Sequence, residues 1–159
     1  MYKRILVPID GSDVANHGLS EAIRLATPWK ATLCLLHVIC ESPFVEEMAN
    51  PADPQAYLHS LQLRARHLLA AAEKLVRAAG LNVETRVREL KRGRAGDAIV
   101  EEAAIAGCDL VVMGTHRLHA FERLVVGSVA ERVLRGSPIP VLSVGIPPAS
   151  PQHGLPPPH

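Results

Sequence analysis

Short continuous apolar runs recur along the chain, each followed by a stretch in which apolar residues return every three or four positions, and few folds accept that alternation. Lys3-Arg4-Ile5-Leu6-Val7-Pro8-Ile9 reads as a buried first strand closed by the turn or cap group Asp10-Gly11-Ser12-Asp13. Ala15, Leu19, Ala22 and Ala26 then recur at helical spacing until Pro28. Residues 31–39 form a second unbroken apolar run, the pattern of a strand covered on both faces. Residues 40–54 hold three prolines and read as a loop. From 55 to 79, Leu58, Leu61, Ala65, Leu68, Ala72, Leu75 and Ala79 make a helical stripe closed by Gly80. That stripe would also serve a coiled coil, but the flanking strands favour packing on a sheet.

Residues 82–88 alternate Val83 and Val87 with polar neighbours, as a half-exposed edge strand does. Gly93 to Gly96 lead into a helix over 97–106, ended by Gly107. Asp109-Leu110-Val111-Val112-Met113 is the fourth strand, a helix starts near Ser128, and Pro140-Val141-Leu142-Ser143-Val144 is the fifth strand. Five strands alternating with four helices predict an α/β fold. Its expected form is a three-layer, doubly wound parallel sheet of order 3-2-1-4-5. Ligands in such sheets sit beyond the carboxyl ends of the strands where the winding reverses, here between Asp10 and Gly114. The proline-rich residues 147–159 can form neither helix nor interior strand and read as an extended, solvated tail.

Seventeen basic against 16 acidic residues give a net charge of +1, which offers no field for nucleic acid or anionic lipid. The N-terminal apolar run is too short for a signal peptide or a membrane span, so a cytoplasmic location is expected. Cys34, Cys40 and Cys108 form no C-x-x-C pair and read as free thiols. His116 and His119 lack a recognisable third ligand, so no metal site is expected. No Ser-His-Asp or Cys-His arrangement is legible, and no catalytic residue is nominated. The first strand leads into neither G-x-G-x-x-G nor S-G-G-x-D-S, and G-x4-G-K-[ST] is absent, which excludes dinucleotide, ATP-pyrophosphatase and P-loop readings.

The informative segment is Gly114-Thr115-His116-Arg117, then nine residues, then Gly127-Ser128-Val129-Ala130-Glu131. Glycine at a strand end lets backbone approach a ligand, and Gly127-Ser128 at a helix start offers free amides to a phosphate. A plain structural reading stands beside each. Ser128 with Glu131 is also a capping box, and Asp10 with Ser12 is equally a helix cap.

At these positions, and at Val7-Pro8-Ile9-Asp10-Gly11-Ser12 and Leu36-His37-Val38, the chain resembles the universal stress protein family, whose motif is G-x2-G-x9-G-[ST]. The resemblance spans roughly residues 2–146, implying one domain over 1–146 before the tail. It implies an ATP-binding, non-catalytic stress-response protein, with Mg2+ as accompanying cation. Adenine would lie near Val38, ribose near Asp10 and Gly114, and phosphates over Gly127, Ser128 and Val129, with Pro8, Ile9, Met113, His116 and Arg117 completing the lining. It also implies a homodimer through the edge strand Pro140-Val141-Leu142-Ser143-Val144. Arg117 stands where the motif has its second glycine. Its guanidinium can pair with phosphate, or its stem can fill the phosphate path. The second option describes a dimeric interaction module without ATP.

Overall fold

A computed structural model describes residues 1–40, 53–115 and 127–146. The elements are β1 (Arg4–Pro8), α1 (Asp13–Ala26), a 3-10 turn (Thr27–Trp29), β2 (Thr32–Cys40), α2 (Pro54–Ala78), β3 (Val83–Leu90), α3 (Ala95–Ile105), β4 (Leu110–Thr115), α4 (Ser128–Gly136) and β5 (Val141–Gly145). All pairings are parallel, and the sheet order is β3-β2-β1-β4-β5, as the alternation predicts. Most of the expected loop over 40–54 and the tail 147–159 lie outside the described residues.

Alternation along the central strands divides the interior into two cores. Ile5, Val7, Leu33, Leu35, Leu110 and Val112 face α1 and α2, where Leu19, Ala22, Leu69 and Val76 meet them. Leu6, Cys34, Leu36, Val111 and Met113 face α3 and α4, where Ile99, Ala103 and Val133 meet them. Each large side chain so buried contributes about 1.5–3 kcal/mol. Continuous apolar runs are therefore what these strands require, since both of their faces are covered.

Two elements depart from the sequence reading. In α2 the buried row is Ala65, Leu69, Ala72 and Val76, while Leu75 is 59% exposed. A seven-residue repeat slips by about 20° per repeat on a straight helix, so along the Leu61-Leu68-Leu75 row Leu61 and Leu68 are half-buried, Leu68 still packing on the core, while Leu75 has turned outward and Leu69 and Val76 are buried. The same helix begins at Pro54, not after it. Asp53 caps it by accepting from the Gln55 and Ala56 amides at 3.0 and 3.2 Å, and proline suits the first helical position.

The second departure is β3, an edge strand as expected, whose Val87 faces outward at 44% exposure. Glu89 accepts from Gln62 on α2, while Glu84, Arg86 and Arg88 turn to the α3 side. There Arg86 and Arg88 donate to the buried Glu102 at 2.8 and 3.2 Å. Arg4 grips Glu84 through both guanidinium nitrogens at 2.8 and 3.1 Å, and this contact holds the Glu84 carboxyl below its ordinary pKa. Of the two alternating valines Val83 packs on the core, while on the opposite face of the strand ion pairs stand where apolar contact would otherwise be.

Candidate functional site

The central strands part at their carboxyl ends. β1 pairs with β2 over five positions but with β4 at only Ile5↔Leu110 and Leu6↔Val111. Beyond that point β4 follows β5 to Thr115↔Gly145, and a cavity of about 290 Å³ opens between the diverging strands. Pro8 lines it from the end of β1, Ile9 and Asp10 from the residues just after that strand, Val38 from β2, Met113 and Gly114 from β4, and Gly127, Ser128 and Val129 from the start of α4. The fold thus brings together nine residues singled out from the sequence. His116 and Arg117 lie outside the described residues.

Further lining comes from Ser12 and Val14 at the start of α1 and from Ala95 and Ile99 on α3. The sequence signal for α3 was the pair of glycines Gly93 and Gly96 that punctuates the way into the helix, and Gly96 lets the helix approach Arg132 on α4 closely.

Each wall is fixed by identifiable bonds. The Ile9 amide donates to the Leu36 carbonyl at 2.7 Å, and His37 Nδ1 lies 2.6 Å from the Ile9 carbonyl oxygen. A carbonyl only accepts, so Nδ1 carries the proton there. Asp10 Oδ1 accepts from the Ser12 amide at 2.8 Å, and Ser12 Oγ accepts from the Ala15 amide at 3.1 Å. Ser12 therefore caps α1, while Asp10 orders the loop and keeps its second carboxylate oxygen without a hydrogen bond among the described residues.

The two motif glycines differ in what surrounds them. At Gly114 a Cβ would run into the Val14 carbonyl, so glycine is required by the close crossing of α1 over β4. At Gly127 a Cβ would meet nothing within 4 Å among the described residues, and its φ of −55° suits any residue. Neither its backbone conformation nor packing among the described residues accounts for that glycine.

The capping-box reading is not realised. Gly127 occupies the cap position, Ser128 is the first helical residue, and no side chain caps α4. Glu131 pairs instead with Arg135 at 2.9 Å. The Ser128, Val129 and Ala130 amides, at the positive end of the helix, are left without an acceptor among the described residues. Opposite them lie the apolar surfaces of Ile9, Val38 and Met113. Such a cavity suits a ligand flat and apolar at one end and anionic at the other.

The model of the Universal stress protein family matches residues 1–145. A universal stress protein of Methanocaldococcus jannaschii is 36% identical over 146 residues, covering 91% of this chain and 82% of the relative. The solved structure of the hypothetical protein MJ0577 is 31% identical with a TM-score of 0.75, covering 94% of this chain and 99% of its own. A universal stress protein solved in complex with cAMP is 28% identical with a TM-score of 0.66, covering 91% and 97%. Sheet order, cavity position and these likenesses agree: the chain belongs to the universal stress protein family.

Proposed function

We propose that the cavity binds an adenine nucleotide, with ATP accompanied by Mg2+ as the physiological form, and that occupancy regulates the protein without chemical turnover. The base lies against Val38 and Met113, the ribose hydroxyls meet the open carboxylate oxygen of Asp10, and phosphates accept from the Gly127, Ser128 and Val129 amides. The observation that carries this reading is Gly127, a glycine that neither its conformation nor packing among the described residues explains, beside an uncapped helix start. Support also comes from the cAMP held by a structural relative. The regulated state is a homodimer through β5, whose outer edge is unpaired in the sheet.

Calorimetric titration with Mg-ATP tests the proposal. Wild type gives saturable heat, and Asp10→Ala weakens affinity about tenfold, the loss of one hydrogen bond to a charged group. Absence of heat from wild type at millimolar ATP contradicts it. Arg117 favours a second reading, the interaction module without ATP. In the same titration Arg117→Gly separates the two: a gain in affinity identifies the arginine as an obstacle, a loss identifies it as a phosphate ligand.

A further inference from the structure

The last bond between β1 and β2 is made by a side chain. Pro8 stands opposite Leu36, and the Ile9 amide still donates to the Leu36 carbonyl at 2.7 Å. If the parallel pairing ran on, the Ile9 carbonyl would accept from the Val38 amide. Among the described residues it accepts instead from the half-buried His37 ring, whose Nδ1 lies 2.6 Å away. The imidazole thus fastens the end of β1 to β2 one residue before Asp10.

The carboxylate of Asp10 depends on that anchor. Beyond it Gly11 turns the chain at a φ of +84°, with Leu68 of α2 so near that a Cβ on Gly11 would lie 2.8 Å from its Cδ2. The Ser12 amide that donates to Asp10 Oδ1 belongs to the same turn. Residues 10–12 therefore span two fixed points, the His37 bond on one side and the start of α1 on the other. His37 itself does not line the cavity, whereas its neighbours Leu36 and Val38 do, because side chains alternate along a strand.

We infer that His37 is a positioning residue of the nucleotide site: by holding the Ile9 carbonyl it sets the Asp10 carboxylate where the ribose hydroxyls meet it, without touching the ligand. The inference rests on the nucleotide reading above and adds to it a residue outside the cavity. What the position requires is a hydrogen-bond donor at the place of Nδ1. The side-chain nitrogen of asparagine comes close to that place, that of glutamine comes to the place of Nε2, and phenylalanine keeps a ring without a donor.

Titration with Mg-ATP of wild type, His37→Phe, His37→Gln and His37→Asn, with His37→Gln also in an Asp10→Ala background, tests it. His37→Phe and His37→Gln weaken ATP about fivefold, within the loss of about tenfold expected for Asp10→Ala, and His37→Asn stays within about twofold of wild type. Once Asp10 is alanine, adding His37→Gln changes affinity by less than about twofold, since the two substitutions act on one contact. A residue that only stabilises the fold would weaken binding alike with and without the carboxylate, and would not separate asparagine from glutamine. Should His37→Phe not fold, the contrast between Asn and Gln decides alone. The inference is overturned if His37→Gln binds ATP as wild type does, if Asn and Gln weaken binding equally, or if the loss is the same in the Asp10→Ala background. Those results with ATP bound by wild type leave the cavity's assignment standing, whereas wild type that binds no ATP removes both.

Discussion

A methyl group on Gly18 would lie 2.7 Å from the Gly114 amide nitrogen and 3.2 Å from the Met113 carbonyl carbon, in backbone that has no room to move. Alanine is better than glycine in a helix by about 1 kcal/mol, but overpacking against backbone costs about 1–3 kcal/mol. Gly18→Ala therefore lowers stability despite improving helix propensity, read as a lower denaturation midpoint; a rise would show that α1 lifts off β4 freely. Gly114 was legible from the sequence as a strand-end glycine beside a ligand, yet the second reason for it is this crossing with α1, a long-range contact that no local pattern carries. Asp10 was legible as polar at a strand end, but its division of labour with Ser12 depends on loop geometry. His37 was quoted only as part of a motif, and its bond to the Ile9 carbonyl has no signal in spacing.

Among the elements, the central strands β1, β2 and β4 were readable because burial on both faces demands unbroken apolar runs. The face of β3 was not, because charge pairing with Glu102 on α3 supplies there what apolar contact supplies elsewhere. In α2 the existence of the helix was plain, while the identity of its buried row depends on a drift of the period that accumulates over 25 residues. β5 is the edge opposite β3, pairing among the described residues only with β4, and it leaves Leu142 at 42% exposure, with Ile146 just beyond it equally exposed. An apolar edge strand of this kind calls for a partner. Light scattering is expected to give about 34 kDa, twice the 17.1 kDa chain, and Leu142→Lys to return the monomer mass. A wild-type monomer at tens of micromolar would contradict pairing through this strand.

For the molecule as a whole, the sheet order separates structural and ligand-binding demands. Winding outward from β1 in both directions makes β1 and β4 neighbours with no direct connection, so they part at their carboxyl ends and leave a cavity at the centre. The start of α4 opens onto that cavity without a capping side chain. The topology made the cavity's place predictable from the sequence. The close approach of α3 to α4 was not, since it arises from two helices 33 positions apart in sequence meeting at Gly96 and Arg132. The central claim is that main-chain amides at the start of α4 receive the phosphates of an adenine nucleotide. Amide proton–nitrogen correlation spectra recorded as Mg-ATP is added test it most directly. The account predicts the largest, saturable shifts at Gly127, Ser128 and Val129, with smaller ones at Asp10 and Val38; spectra unchanged at millimolar ATP, or shifts confined to residues remote from this cavity, would contradict it.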